Sequence, residues 1–195
     1  MAKQKRCLVL AIDTALVKLD NLPYADFIIP YKKDNWGTAT ANDYMCKRPG
    51  LDEFLNSVAK HWELVFVERG KSDVCSIISI SIIRFQYVRH VLKAIDQADA
   101  RHETWFWKLP LFDYSIEHTV AILSSQQQDA YNNQPDNIIR VKAWDYELDD
   151  TQLLALLPFL EECAAANNCL DFLKTNKQRL DDLLARSAGQ LAAIK

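Results

Sequence analysis

The chain has 195 residues, of which 49% are hydrophobic and 25% are charged. Such a chain can bury a core of ordinary domain size, which excludes a disordered or collagen-like protein. Because it carries 23 basic and 26 acidic side chains, its net charge of −3 is too close to neutrality to indicate a surface for nucleic acid.

The cysteine pattern and the hydropathy exclude further classes. The five cysteines include no C-x-x-C pair, so neither a zinc knuckle nor a disulfide framework is predicted, and we expect reduced cysteines in apolar surroundings. The most apolar window, residues 74–83, is about half as long as the roughly 20 residues of a transmembrane helix. The apolar stretch after the basic N-terminus is broken at Asp13, which makes a poor signal peptide. We therefore expect no transmembrane segment of the chain's own.

A strand–helix–strand unit is predicted in the first third of the chain. Cys7–Ile12 is a continuous apolar run of strand length, typical of a strand that is covered on both faces of a parallel sheet. Residues 20–44 indicate a long loop or a small hairpin. Residues 51–58 then carry apolar side chains at helical spacing, and residues 63–67 form a second apolar strand. This order is the βαβ rhythm of a doubly wound sheet.

The rest of the chain continues to alternate between strands and helices. Residues 72–83 favour a helix by their position, although their β-branched side chains also fit a strand. The further predicted elements are short strands at 85–91 and 104–108, buried strands at 119–123 and 137–141, an apolar helix from Leu153 to Leu160, and an amphipathic helical stretch at 170–194. Together they predict an α/β fold with a parallel sheet flanked by helices.

Several segments together resemble one known family. In chain order they are LVLAIDTALV (8–17), KRPGLDEFL (47–55), WELVF (62–66), Lys108, VAIL (120–123), QPDNII (134–139) and DDTQLLALLPFLE (149–161). They resemble the phosphatase domain of the RNA polymerase II C-terminal-domain phosphatases, and still more its mitochondrial relative, the receptor subunit of the inner-membrane presequence translocase. The resemblance implies a haloacid-dehalogenase-like (HAD-like) fold, with a Rossmann-like parallel sheet. We therefore predict one such domain over residues 1–162 and a C-terminal helical extension over residues 163–195.

The chemistry of this family can be compared with the sequence at each position. The resemblance implies an aspartate nucleophile at the end of the first strand and a second aspartate two residues later, which serves as general acid and base. In the matching segment the nucleophile position holds Ala11, and only the second carboxylate, Asp13, is present. A methyl group cannot attack phosphorus. A shifted register would make Asp13 the nucleophile, but its acid–base partner would then be Ala15, so that alignment fails as well.

The phosphate-binding and magnesium-binding positions that the resemblance implies are altered too. The phosphate-binding Thr or Ser is replaced by Glu68, whose carboxylate would repel a phosphate dianion. The lysine of the third motif is matched by Lys108, but the magnesium-binding aspartate is replaced by Ser124, and serine is a poor sole ligand for a hard divalent cation. These positions predict a pseudophosphatase with no cofactor and no metal. We expect Asp13 to cap the turn after the first strand, and Lys108 to pair with Asp13 or Glu68.

No other catalytic or metal-binding pattern is present in the sequence. The chain has no G-x-S-x-G nucleophile elbow, and its four glycines form no nucleotide-binding motif. The histidines have no metal-like spacing to one another or to a cysteine; they are His61, His90, His102 and His118.

Two segments carry more apolar side chains than a solvent-exposed surface normally has, which indicates contacts with a partner. Three successive aromatic residues, 105–107, cannot all face one core, and the isoleucines of residues 77–83 surround too much of a helix. The C-terminal helix is a further place for such a contact. The candidate partner-binding residues are Trp105, Trp107, Ile78, Ile82, Leu184 and Leu191. The alternative is that these residues belong to a large core.

Three functions follow, in order of preference. The first is a catalytically inactive protein-interaction or structural subunit of a mitochondrial inner-membrane complex, such as an accessory subunit of a respiratory or ATP synthase assembly. The second is a receptor subunit of the presequence translocase, which binds basic targeting peptides, although a net charge of −3 attracts them only faintly. The third is a working phosphatase on phosphoserine or phosphotyrosine. We expect a mitochondrial, inner-membrane-associated protein whose partners are protein subunits and not nucleic acid.

Overall fold

The computed structural model describes residues 6–12, 14–20, 25–32, 40–67, 114–126 and 135–189. Numbered along these residues, the strands are β1 (Cys7–Ala11), β2 (Val17–Asp20), β3 (Phe27–Lys32), β4 (Thr40–Lys47), β5 (Glu63–Val67), β6 (Thr119–Ser124) and β7 (Ile138–Val141). The helices are α1 (Leu51–Val58), α2 (Gln152–Ala165), α3 (Cys169–Thr175) and α4 (Lys177–Gly189), with 3-10 helices at Ile116–His118 and Pro135–Asn137. The predicted helix at 72–83 and the predicted strands at 85–91 and 104–108 lie outside the described residues.

Four parallel strands form one sheet in the order β5-β1-β6-β7. Leu10 of β1 pairs with Phe66 of β5 on one side and with Ile122 of β6 on the other. Every residue of β1 and of β6 is buried, as expected for inner strands whose two faces are both covered. The predictions of these buried strands and of an α/β fold with a parallel sheet are confirmed.

Helix α1 has the amphipathic pattern that its sequence predicts. Leu51, Phe54, Leu55 and Val58 are its buried residues, and the helix packs against α2. It begins after Gly50, whose φ of 73° lies in the left-handed region that glycine tolerates. The acidic side chains of its first turn interact favourably with the positive end of the helix dipole.

A second, antiparallel sheet has the strand order β2-β4-β3. Residues 20–44 were expected to form a long loop or a small hairpin. The hairpin alternative holds for β3 and β4, but β2 pairs with the other side of β4, so the region contributes to a three-stranded sheet. The sequence of this region gives only a weak strand signal. Pro30 lies opposite Asn42 in the middle of the β3–β4 ladder, and both residue types are depleted in strands.

The C-terminal part contains three helices where the sequence predicted two stretches. Over its described residues, the predicted helical stretch at 170–194 consists of two helices. Asn176 separates α3 from α4 and donates to the Phe172 carbonyl from its backbone and side-chain nitrogens. Leu173 and Leu180 of these helices belong to the same core cluster as Leu8 of β1. The division of the chain at residue 162 stays a prediction. Within the described ranges, no helix combines the length and hydropathy needed to cross a bilayer.

Candidate functional site

The carboxyl end of the parallel sheet places Ala11 and Ser124 on neighbouring strands. Ala11 is the last residue of β1 and is 1% exposed, and Ser124 is the last residue of β6 and is fully buried. Because β1 and β6 are adjacent and parallel, both residues lie at the same edge, which is where α/β proteins of this kind bind their ligands. The two positions that the resemblance assigns to a nucleophile and to a metal ligand are thus brought together.

The turn after β1 is connected to the end of β6 by a hydrogen bond between two hydroxyl groups. Thr14, whose φ is 56°, donates from Oγ1 to Ser124 Oγ at 2.6 Å. The same Ser124 oxygen accepts a bond from the backbone N–H of Gln126 at 3.3 Å. The turn is closed by the Thr14 N–H, which donates to the Val17 carbonyl at 2.8 Å. Thr14 and Ser124 therefore join the ends of β1 and β6 with neutral groups.

The neighbouring loops are joined to the same edge. The Ser125 N–H donates to the Val141 carbonyl at 2.8 Å, and Ser125 Oγ accepts from the Ala143 N–H at 3.1 Å. The Trp144 N–H donates to the Thr14 carbonyl at 2.9 Å. As a result, the chain segments that follow β1, β6 and β7 form one hydrogen-bonded rim.

The groups described at this edge do not fit the magnesium ion that the resemblance implies. Mg²⁺ takes octahedral oxygen ligands and is usually bound by one or two carboxylates. Here Ala11 offers no donor atom, and Ser124 offers a neutral hydroxyl that already accepts two hydrogen bonds. Among the residues that the structure describes, no three His, Cys, Asp or Glu side chains are grouped so that they could hold a metal ion. The prediction of a chain without a metal stays a prediction, because Asp13 lies outside the described residues.

A buried arginine joins three segments that are distant in the sequence. The residue Arg48 is 1% exposed, and its side chain donates from Nε and Nη2 to the two carboxylate oxygens of Asp150, at 2.9 and 2.8 Å. Its Nη1 donates to the carbonyls of Ala15 and Lys142 at 3.0 and 3.1 Å, and its Nη2 also donates to Gln152 Oε1 at 3.0 Å. All five N–H groups of the guanidinium are therefore used.

Gln152 extends this network to the last helix. Its Oε1 accepts from the Lys142 N–H at 2.8 Å as well as from Arg48, and its Nε2 donates to the Leu184 carbonyl at 3.1 Å. Sequence reasoning did not predict the network. The available signal was that Arg48 lies in the segment KRPG and Asp150 in the segment DDTQ, both of which carry the family resemblance.

The loop between β7 and α2 is held by a second set of charges. Glu147 pairs with Lys142 at 2.8 Å and accepts a bond from the Asp145 N–H at 2.8 Å. The Lys142 hydrogen bond is the main cause that lowers the pKa of Glu147 to about 2. Lys18 pairs with Asp145 and lies over the Tyr146 ring, 4.4 Å from its centroid. These contacts hold a loop beside the rim.

The other predicted site residues are placed as follows. Leu184 is half-buried on α4 and packs against the core cluster. The structure does not test its assignment, or that of any other residue, to a partner. The predicted residues that lie outside the described part of the chain are Asp13, Glu68, Lys108, Trp105, Trp107, Ile78, Ile82 and Leu191.

Comparison with known proteins agrees with this architecture. A family model described as NLI interacting factor-like phosphatase matches residues 6–173. The chain is 27% identical over 183 residues to the CTD small phosphatase-like protein 1 of Caenorhabditis elegans, covering 92% of this chain and 36% of that protein. It is 28% identical over 159 residues to the human CTD small phosphatase-like protein, covering 80% of this chain and 55% of that one. The chain thus spans about a third to about half of the length of these relatives.

A solved structure also shares the fold. A fission yeast RNA polymerase II CTD phosphatase bound to beryllium fluoride superposes with a TM-score of 0.63 at 14% identity, over 95% of this chain and 67% of that one. The predicted HAD-like architecture is therefore confirmed, as is the resemblance to the CTD phosphatases. The closer likeness to the presequence translocase receptor stays a prediction.

Proposed function

This chain belongs to the NLI interacting factor-like phosphatase family, and from that premise we propose that it is a pseudophosphatase that acts by binding proteins. The observation that carries the proposal is the residue at the carboxyl end of β1. Ala11 ends this inner strand with its side chain 1% exposed, where the family's chemistry requires an attacking oxygen. A methyl group supplies no lone pair, so no phosphoaspartate can form at this position.

The second support is the hydroxyl pair at the neighbouring strand end. In a phosphatase of this kind, positive charge must balance the phosphoryl oxygens, and a metal held by carboxylates is the usual source. Ser124 takes the place of such a carboxylate and is occupied by the Thr14 hydroxyl at 2.6 Å. The two strand ends are thus joined without a cation, by a contact that a divalent ion would have to break.

The third support is that the scaffold is kept while these groups are lost. Arg48 still joins the loops after β1 and β7 to the start of α2 with five hydrogen bonds. A rigid rim with no nucleophile suits recognition of another protein. Among the described residues, Leu148 is 89% exposed on the loop before α2 and Ile28 is 60% exposed on β3, and such exposed apolar side chains are available to a partner.

A phosphatase assay tests the loss of catalysis directly. The purified chain with Mg²⁺ and a generic aryl phosphate should release no phosphate above buffer, while an active phosphatase of the family, run beside it, should. The family name implies activity, so this assay is decisive. Turnover that Asp13→Asn abolishes would refute the proposal, because Asp13 would then be the working nucleophile.

The finer proposal is that the chain is a subunit of a mitochondrial inner-membrane complex. Its support is the resemblance of segments such as KRPGLDEFL (47–55) to the presequence translocase receptor. Blue-native electrophoresis of the native organism's mitochondria, followed by mass spectrometry, should find the chain in one large complex. Absence from mitochondria would remove this finer proposal and leave the pseudophosphatase proposal intact. Saturable, salt-sensitive binding of a presequence peptide would instead favour the receptor function.

A further inference from the structure

Two cysteines meet at the corner between α2 and α3. Cys163 lies in the last turn of α2, Cys169 begins α3, and both are fully buried and reduced. The Cys169 sulfur lies 3.5 Å from the Cys163 carbonyl oxygen, and the Cys163 sulfur lies 4.0 Å from the Cys169 carbonyl oxygen. Each thiol therefore contacts the backbone carbonyl of the other cysteine, and the two side chains lie together between the helices.

Two basic side chains, His118 and Arg6, lie near this pair. The helix α3 packs against the 3-10 helix Ile116–His118, which brings the His118 ring beside Cys169. Among the described residues, His118 Nδ1 is a buried nitrogen without a hydrogen-bond partner, and the His118 side chain is itself buried. The Arg6 guanidinium lies close by and donates to the Ala166 carbonyl at 2.7 Å, in the loop that joins the two cysteines.

These surroundings set the pair apart from another buried cysteine of the sheet. The hydrogen bond from Cys163, followed by the nearby His118 and Arg6, lowers the pKa of the Cys169 thiol. For Cys7, burial and then Glu63 raise the thiol pKa to about 12. Both residues are fully buried, so the difference comes from the charges and hydrogen bonds beside them. Thiolate character at Cys169 favours nucleophilic attack, whereas Cys7 is inert.

We propose that Cys163 and Cys169 form a redox-active dithiol that a low-molecular-weight disulfide oxidises to an intramolecular disulfide. The Cys169 sulfur attacks one sulfur of the small disulfide, whose S–S bond breaks and releases one thiolate, while His118 Nδ1 holds the Cys169 proton. The Cys163 sulfur then attacks the Cys169 sulfur and releases the second thiolate. The two protein thiols lose two electrons, the small disulfide gains them, and the two thiol protons end on the two released thiols.

The oxidised state would join α2 to α3 covalently across a short loop. Leu173 and Leu180 pack helices α3 and α4 against the core, so this bond would hold the C-terminal helices in place. Because both sulfurs are buried, a small disulfide is the expected reagent, and a bulky one is not.

Mass spectrometry of the whole folded chain tests the proposal. Trypsin cuts after Lys142 and Lys174, so a single peptide, residues 143–174, contains both cysteines. After treatment with the small disulfide 2-hydroxyethyl disulfide, and alkylation under denaturing conditions, this peptide should be two hydrogens lighter and carry no alkyl group. The Cys7 peptide should remain fully alkylated. A fully alkylated 143–174 peptide from the folded chain would overturn the proposal.

Three variants identify the roles in the reaction. Cys163→Ser should trap one hydroxyethylthio group on Cys169, and Cys46→Ser should oxidise at the wild-type rate. His118→Gln should slow the oxidation, because it removes a basic side chain that lowers the pKa of the Cys169 thiol. If Cys163→Ser leaves Cys169 unmodified while circular dichroism shows the native fold, Cys169 is not the attacking thiol and the mechanism is wrong.

Discussion

Arg48 and Asp150 form a two-bond ion pair, at 2.9 and 2.8 Å, between residues that are 102 positions apart in the chain. Both side chains are buried, at 0% and 7% exposure. Buried charges are tolerated only when their bonds are complete, and here the arginine uses every N–H that it has. The pair therefore connects the turn after β1, the loop after β7 and the start of α2.

Removing one member of this pair should destabilise the protein strongly. Arg48→Met leaves the Asp150 carboxylate buried without its partner, which costs about 3–5 kcal/mol. Urea unfolding followed by circular dichroism measures the loss of unfolding free energy. The neighbouring variant Lys47→Met breaks a pair with Asp52 that is partly exposed, and should cost about 1 kcal/mol or less. The double variant Arg48→Met/Asp150→Leu should recover part of the loss. Equal effects at Arg48 and Lys47 would contradict a structural role for the buried pair.

A carboxylate introduced at the end of β1 should lower the stability of the fold without creating phosphatase activity. Ala11→Asp puts an ionisable group at a position that is 1% exposed, at a cost of about 1–3 kcal/mol. It should show no magnesium-dependent turnover, since Ser124 remains a hydroxyl bonded to Thr14. In Ala11→Asp/Ser124→Asp, two carboxylates at adjacent strand ends should bind Mg²⁺, so that the melting temperature rises when Mg²⁺ is added. If Mg²⁺ raised the melting temperature of the wild-type chain by a similar amount, the conclusion that this edge does not fit a metal would be wrong.

The Glu147–Lys142 pair predicts how stability depends on pH. The pKa of Glu147 is lowered from about 4.5 to about 2 in the folded chain, chiefly by the hydrogen bond from Lys142. This contribution is present above pH 4.5 and is lost as the pH falls towards 2. Glu147→Gln should flatten the stability curve in that window by about 1 kcal/mol, because the Lys142 side chain is 48% exposed and partly screened. Glu161→Gln, on the exposed side of α2, is the control. An unchanged curve in Glu147→Gln would remove the pair as a source of acid sensitivity.

Gly50 should resist substitution for two separable reasons. Its φ of +73° disfavours a side chain, and a Cβ atom would lie 2.6 Å from Leu154 Cγ. Gly50→Ala should therefore cost about 1–2 kcal/mol for the backbone and a further 1–3 kcal/mol for the clash, measured by urea unfolding. In the Leu154→Ala background the clash is relieved, so the same substitution should cost only the backbone part. Equal costs in both backgrounds would show that the clash plays no part.

The inner strands of the sheet were predictable from local sequence. Cys7–Ile12 and residues 120–123 are apolar at every position, and a strand covered on both faces accommodates such a run. The positions of Ala11 and Ser124 were predictable for a related reason. Ala11 lies near the end of one predicted strand and Ser124 directly follows another, and the structure places both at the carboxyl end of the sheet.

The antiparallel sheet and the long-range side-chain contacts were not predictable from local sequence. The pairing of β2 with β4 joins segments separated by a stretch with little alternation, so only the ladder itself reveals it. The Arg48–Asp150 pair and the Cys163–Cys169 contact depend on where separate elements pack, which no local pattern contains.

The amino-acid sequence determined the α/β class, the inner strands and the methyl side chain of Ala11 at the end of β1, because each depends on residue type at one position or on short-range periodicity. Tertiary packing alone decided that Thr14 would meet Ser124, that Arg48 would find five acceptors, and that two cysteines would share a gap beside a histidine. The physical reason is that a hydrogen bond depends on distances of a few ångströms between atoms, and those distances exist only after the sheet and the helices have packed.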